Sequence, residues 1–207
     1  MKKRVTFLVA VLLFLLPFSA FAQSYVEVKG GGYFPTGDLE DLGYDAGFNG
    51  EVAIGHYIVP GMLAVELGTG YFESTLDKGS VTNDPVIGTL SGSIHNKVYA
   101  VPVTATLKVR VPVAGFYAGA GGGAYFTWLR VRASGTRPGG GFFSLSGTDS
   151  DTVFGGQVMA GISFPIFPRV RFSAEAKYIV TDNAHFFGRD YGNLDGATAT
   201  GNIGINF

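Results

Sequence analysis

The residues GATATGNIGINF, 196–207, alternate between apolar or very small side chains and polar ones up to the last position of the sequence. Chain ends are usually polar and poorly ordered unless they are tied into a sheet. A period of two residues is typical of a β-strand whose two faces meet different surroundings. We therefore predict a strand over 197–207, whose apolar face consists of Ala197, Ala199, Gly201, Ile203, Ile205 and Phe207.

The first 22 residues have the three parts of a secretory signal peptide. Residues 2–4 (KKR) are basic, 5–16 form an apolar run, and 20–22 (AFA) match the small-residue cleavage motif. A membrane-spanning helix is the alternative, but it needs about 20 apolar residues, which this run does not reach. We predict that residues 1–22 are a signal peptide and that 23–207 form one domain.

The composition of the remaining chain restricts its partners. Without the three basic residues of the signal, 12 Lys and Arg stand against 16 Asp and Glu, a net charge of −4. A nucleic-acid partner would require a basic patch, so none is expected. The sequence contains no cysteine for disulfides, whereas its 32 Gly, 18 Phe and 10 Tyr favour strands and turns over helices.

Alternation with a period of two residues recurs through the whole chain after the signal. We predict eight strands, at 25–33, 47–58, 63–72, 97–109, 115–128, 152–164, 169–181 and 197–207. The connections alternate between short ones, at 59–62, 110–114 and 165–168, and long ones, at 34–46, 73–96, 129–151 and 182–196. Short turns at one end and long loops at the other are typical of up-and-down barrels of bacterial outer membranes.

The two faces of these strands differ in composition, which decides between a soluble barrel and a membrane barrel. One face is apolar and almost free of charge, whereas the other mixes both charge signs with glycine. Glycine weakens a solvated strand, but the narrow lumen of an eight-stranded barrel needs small residues beside large ones. We therefore place the apolar face against lipid and predict ion pairs in the lumen among Glu27, Lys29, Glu51, Glu66, Lys108, Arg171, Glu175 and Lys177. Which of these residues pair with one another cannot be read from the sequence. The ion pairs could form a rigid plug, which we favour, or the gate of a narrow pore.

Aromatic residues on the apolar face collect near the strand ends. Phe116, Phe164, Phe172 and Phe207 lie near the short turns, and Phe48, Tyr71, Tyr99, Phe126, Trp128 and Tyr178 lie near the long loops. Two such girdles mark the two interfaces of a lipid-facing band. The fold we predict is all-β, an eight-stranded antiparallel up-and-down transmembrane β-barrel in the outer membrane, with the short turns on the periplasmic side.

Three stretches carry a family resemblance: YVEVKGGGYFPTGDL (25–39), KVYAVPVTATLKVRVP (97–112) followed by FYAGAGGGAYF (116–126), and the terminal GNIGINF (201–207). They resemble the small eight-stranded outer-membrane barrels, which include the barrel domain of outer membrane protein A and the opacity-type surface proteins. The resemblance implies insertion by the outer-membrane assembly machinery, which reads a C-terminal strand ending in an aromatic residue. It identifies Phe207 as the assembly signal of this chain.

The sequence offers little support for catalysis, a cofactor or a metal. Known lipid A deacylase barrels carry a His-x-Ser pair, but the residues two positions after His56, His95 and His185 are not serine. The stretch 119–124 (GAGGGA) fits a dinucleotide motif only on paper, because an alternating strand follows it instead of a helix. Four carboxylates in 38–45 could attract a divalent cation, although a solvated loop is the simpler interpretation. We expect no cofactor and no enzymatic activity.

The predicted function is therefore a structural or surface-interaction role: envelope integrity, adhesion, or contact with lipopolysaccharide through the long outer loops. A narrow porin-like channel is the alternative, and a lipid A-modifying enzyme is a weaker one. Arg130 and Arg132 continue the lipid-facing parity beyond Trp128, so we predict that they contact lipopolysaccharide phosphates at the outer rim. The expected partners are outer-membrane lipid, lipopolysaccharide, the assembly machinery and an unidentified host or surface ligand, and the protein is expected to be a monomer.

Overall fold

Eight strands close into one antiparallel barrel in the computed structural model, which describes residues 24–84, 88–111, 115–136 and 141–207, with the backbone alone at 80–84 and 88–91. The barrel strands are β1 (Ser24–Pro35), β2 (Gly47–Val59), β3 (Leu63–Asp84), β4 (Gly88–Arg110), β5 (Phe116–Thr136), β6 (Phe142–Phe167), β7 (Val170–Thr181) and β10 (Gly196–Asn206). Outside the barrel lie the helix α1 (Asp38–Leu42) and the hairpin of β8 (Ala184–Phe186) and β9 (Arg189–Gly192). The predicted fold class is confirmed. Within the described ranges, no helix has the length and apolar character needed to cross a membrane.

The first and last barrel strands pair with each other along their whole length. Tyr25 lies opposite Asn206, and Pro35 lies opposite Gly196. The backbone N–H of Phe207 donates to the carbonyl of Ser24 at 2.9 Å. Because lipid offers no hydrogen-bond partner to an open strand edge, this pairing is what allows the sheet to exist inside a membrane.

Side chains alternate between the outer wall and the lumen, as β10 illustrates. Thr200 and Asn202 are buried at 7% and 0% exposure, whereas Ile203 and Ile205 on the outer wall are 57% and 47% exposed. The aromatic residues expected in two girdles are on the outer wall, and Trp128 stacks on Tyr99 with ring centroids 5.4 Å apart. An apolar outer wall is stable only against another apolar medium, so this surface requires a lipid environment.

Two of the predicted long loops are instead mostly strand, and that part of the sequence prediction was wrong. β3 and β4 pair out to Asp84 opposite Gly88, and β5 and β6 pair out to Thr136 opposite Phe142. The alternation of apolar residues stops near the lipid boundary because both faces of the sheet meet water beyond it, while backbone pairing continues. The turn predicted at 110–114 includes 112–114, which lie outside the described residues, as does the predicted signal peptide at 1–22.

These continued strands form a four-stranded sheet beyond the barrel, which we call the outer sheet: residues 73–84, 88–99, 128–136 and 142–150. The barrel strands that contribute to it contain 22, 23, 21 and 26 residues. A membrane crossing needs only about 9–11 residues per strand. At about 3.3 Å per residue, the outer sheet therefore projects roughly 30 Å past the aromatic girdle.

Candidate functional site: the lumen and the outer sheet

The centre of the lumen contains a ring of two lysines and two glutamates. Lys29 Nζ lies 3.1 Å from Glu66 Oε1 and 3.0 Å from Glu175 Oε1. Lys108 Nζ lies 2.7 Å from Glu66 Oε2 and 3.3 Å from Glu175 Oε2. All four side chains are at most 7% exposed. Each carboxylate therefore bridges both ammonium groups, so each charge in the ring is balanced by two opposite neighbours.

Three further predicted lumen residues extend this ring. Lys177 Nζ contacts both carboxylate oxygens of Glu51, at 2.5 and 2.6 Å. Glu27 accepts a hydrogen bond from the hydroxyl of Ser173 at 2.8 Å and lies 3.4 Å from Lys108. The structure thus brings seven of the eight predicted lumen residues into one network, which fills the middle of the barrel with paired charges.

Two tyrosines on the short-turn side of the charged ring belong to the network, although the sequence analysis did not select them. The hydroxyl of Tyr25 donates to Glu66 at 3.0 Å, and that of Tyr117 donates to Glu175 at 2.9 Å. Their rings lie against Gly55 and Gly161, where an added Cβ would be 2.1 and 2.5 Å from ring atoms. The parity of Tyr25 with Glu27 was the signal that could have placed it in the lumen.

Arg171 does not join the carboxylates, and its predicted ion pair is corrected. Its guanidinium donates to the hydroxyl of Tyr57 and lies 5.0 Å from the centroid of the Tyr25 ring. Across the ranges that the structure describes, no carboxylate is paired with it. The physical reason is that Tyr25 stands between Arg171 and the ring of charges, and its π face attracts the cation instead.

The outer end of the lumen is filled by apolar side chains. Tyr33, Phe72 and Tyr125 are at most 2% exposed and pack on one another, with ring centroids 4.5 and 6.3 Å apart. The same cluster includes Leu76, Leu129, Val153 and Ile179 of the barrel strands. It continues into the connections through Leu39 of α1, Tyr44, Phe186 of β8 and Leu194. An apolar layer thus separates the charged ring from the outer mouth.

The first and last outer connections are tied together above this layer. Asp38 accepts a hydrogen bond from the backbone N–H of Asn193 at 2.9 Å, and the hydroxyls of Tyr44 and Tyr191 lie 2.7 Å apart. Burial raises the pKa of Tyr44, and the hydrogen bond with Tyr191 raises it further. The connection 34–46, which we predicted to be a solvated loop, therefore packs over the lumen, with Leu39 buried between the half-buried Asp38 and the exposed Glu40. We call the connections 36–46 and 182–195 together the lid. Among the described residues, no group of three possible metal ligands is assembled here or elsewhere.

The hairpin of β8 and β9 is fastened to β6 through two aspartates. Asp149 accepts hydrogen bonds from the backbone N–H groups of Phe187 and Ser150. Asp151 accepts a hydrogen bond from the backbone N–H of His185 at 2.8 Å. The Phe187 and Ser150 donors lower the pKa of the Asp149 carboxyl. The lid is therefore held at its second edge by charge-assisted hydrogen bonds.

Arg130 and Arg132 lie on the outward face of the outer sheet and are exposed. Their neighbours across the sheet are Lys97 and His95, and each neighbour already has an acidic partner, Glu73 at 2.6 Å and Asp77. Within the described residues, neither arginine has an ion-pair partner on the chain. Two guanidinium groups directly above the aromatic girdle are thus free to meet an external anion.

We expect that replacing Arg130 and Arg132 together by serine reduces the lipopolysaccharide that co-purifies with the folded protein. Arginine binds phosphate through two parallel hydrogen bonds that serine cannot reproduce. The measurement is the molar ratio of lipopolysaccharide to barrel after extraction. Arg189→Ser, which removes an exposed arginine from the lid, is the matched control and should leave the ratio unchanged. An unaltered ratio in the double variant would exclude the contact.

The three histidines lie on three different strands, β2, β4 and β8. His56 Nδ1 lies 3.1 Å from the hydroxyl of Ser24, a cross-strand pair that no local sequence motif could indicate. In the part of the chain that the structure describes, no carboxylate is paired with His56, so the third member of a catalytic triad is not provided there. His95 lies on β4 beside Asp77, and His185 lies on β8, so neither is in the loop in which it was predicted.

A closed eight-stranded barrel with an apolar outer wall and a filled polar interior defines a β-barrel membrane protein. The sequence matches the family described as outer membrane protein beta-barrel domain over residues 7–207. The chain belongs to this family and is a protein of the outer membrane. No curated protein matches the sequence significantly.

The fold also matches that of a solved structure. The chain is similar to Neisserial surface protein A (NspA), with 16% identity and a TM-score of 0.50, over 89% of this chain and 97% of that one. It is also similar to Ail, the attachment invasion locus protein of Yersinia pestis, with 15% identity and a TM-score of 0.46, over 89% and 99% of the two chains. At 16% identity the likeness to NspA concerns the fold alone.

Proposed function

We propose that this protein is a closed structural barrel of the outer membrane whose outer sheet serves as a contact surface for lipopolysaccharide or a neighbouring surface. The observation that carries the proposal is the division of the molecule into a blocked lumen and a long external sheet. The charged ring and the apolar layer close the lumen twice, whereas β3 to β6 are about double the length that a membrane crossing needs. A barrel built only for transport would not require such a projection.

The test is a barrel with a shortened outer sheet. Joining Arg132 to Ser146, which are paired across β5 and β6, by a two-residue Asn-Gly turn removes the distal part of one hairpin and keeps the register. In a deletion strain, the full-length protein should restore adhesion and envelope integrity, and the shortened protein should not, at equal amounts of folded barrel. Equal restoration by both forms would contradict a contact role for the outer sheet.

The orientation that this proposal assumes can be tested with inserted epitopes. We expect an epitope at Gly79 or Gly141, in the long hairpins, to bind antibody on intact cells. An epitope at Gly61, in the short turn between β2 and β3, should bind only after permeabilisation, because short turns of this barrel class face the periplasm. Labelling of Gly61 on intact cells would reverse the orientation.

A narrow channel is a second candidate, because one wall of the lumen has unsatisfied polar groups. Thr198, Thr200 and Asn202 of β10 are buried, and each carries side-chain atoms that have no hydrogen-bond partner among the described residues. Such a strip needs water, since a buried polar atom without a partner is costly. Single-channel recording in planar bilayers separates the two functions: steady conductance steps would favour the channel, and a silent bilayer the closed barrel.

A further inference from the structure

The mouth of the barrel at the short-turn end contains two arginines outside the ion-pair network. Arg110 at the end of β4 and Arg171 on β7 line a cavity of about 370 Å³ together with Tyr57, Ser163 and Asn206. Within the described residues, neither guanidinium has a carboxylate within ion-pair distance. Two cations thus share one concave site without internal neutralisation.

Two tyrosine rings keep these arginines apart from the glutamates. The hydroxyls of Tyr25 and Tyr117 donate inward to the carboxylates of the charged ring. On the other side, Arg171 lies 5.0 Å from the Tyr25 centroid, and Arg110 lies 5.7 Å from the Tyr117 centroid. The rings therefore form a floor that holds each cation by its π face and shields it from the negative charges.

The donor groups that remain at the mouth suit an oxyanion. A guanidinium has five N–H donors in a planar fork, and Arg171 uses one of them on the hydroxyl of Tyr57. Forked N–H pairs on two sides of a cavity match the oxygens of a phosphate group.

The geometry points to a phosphate-binding cup at the short-turn mouth of the barrel, formed by Arg110 and Arg171 on a floor of Tyr25 and Tyr117. The cavity of about 370 Å³ has room for more than one phosphate group, so it can take a phosphate carried by a larger molecule, either a solute or a phospholipid headgroup. The cup lies at the opposite end from the outer sheet, so it stands or falls independently of the proposed surface function.

The test uses the full folded barrel in nanodiscs of zwitterionic phosphatidylcholine, with inorganic phosphate as the probe. Arginine side-chain NMR should show saturable shifts of the Arg110 and Arg171 resonances. Arg110→Gln and Arg171→Gln should each weaken the apparent affinity about tenfold or more, because a charge-assisted fork is lost. Arg189→Gln, at the far end of the molecule, is the control and should bind phosphate as the unchanged protein does.

Two outcomes would overturn the cup: no saturable shift at either arginine, or equal affinity in all three variants, which would mean an adventitious ion only. If a glutamine variant does not fold, Arg171→Lys keeps the charge without the fork and should still weaken binding. Replacing part of the lipid by anionic phosphatidylglycerol at constant ionic strength identifies the source of the phosphate. If phosphatidylglycerol lowers the apparent affinity for inorganic phosphate, a lipid headgroup occupies the cup. If the affinity for inorganic phosphate is unchanged, the ligand is a soluble one.

Discussion

Glu175→Ala is expected to destabilise the folded barrel by about 3–5 kcal/mol, because removing one partner of a buried ion pair leaves the other charge uncompensated. The side chain of Glu175 is 0% exposed, contacts Lys29 and Lys108, and accepts a hydrogen bond from the hydroxyl of Tyr117 at 2.9 Å. Its loss would leave the closed ring of two lysines and two glutamates with a single carboxylate. The measurement is reversible unfolding by urea in lipid vesicles or detergent, followed by tryptophan fluorescence and heat-modifiable migration.

Glu73→Ala is the matched control for this experiment. Glu73 lies 2.6 Å from Lys97, but their side chains are 25% and 28% exposed at the base of the outer sheet. A partly exposed pair at the surface of the protein contributes only about 0–1 kcal/mol. Equal effects of the two substitutions would mean that the lumen is hydrated enough to screen its charges, and the description of a rigid plug would then be wrong.

The faces of the barrel strands could be predicted because lipid imposes a strict period of two residues. Along 197–207, every second side chain meets hydrocarbon and the others meet the lumen, so the alternation is visible without a partner strand. Beyond the girdle this constraint ends. The segment 142–150 (FFSLSGTDS) has water on both sides of the sheet, and its strand character depends on backbone pairing with β5, which composition does not reveal.

The candidate sites were only partly predictable for a related reason. The parity of Lys29 and Glu175 placed both side chains in the lumen, but their contact joins residues 146 positions apart and depends on the stagger between strands. Arg171 shares that parity, but its position along the barrel axis relative to Tyr25 decides whether its guanidinium meets a carboxylate or an aromatic side chain. The inward turn of Leu39 within an acidic segment had no periodic signal at all.

Phe207 combines two roles that can be separated experimentally. Its backbone N–H closes the barrel against Ser24, a bond that any residue other than proline can make. Its ring is 59% exposed on the outer wall, so the side chain contributes through contact with lipid at the girdle instead of through the packing of a core. Family membership adds an expected second role, as the terminal aromatic that the assembly machinery selects.

We expect Phe207→Ser to reduce the amount of folded protein in the outer membrane severalfold, while the stability of protein refolded in detergent falls much less. The substitution removes a side chain that contacts lipid, but it leaves the backbone hydrogen bonds between β1 and the end of the chain in place. Folding in detergent, without the machinery, therefore still forms the complete barrel. Phe164→Ser is the matched control, because Phe164 lies in the same girdle at 51% exposure but within β6. That control should reduce both quantities to a similar, small extent. If the two variants behave alike in both assays, Phe207 acts through the girdle alone. If Phe207→Ser changes neither quantity, the terminal aromatic is dispensable and the last strand is held by its backbone.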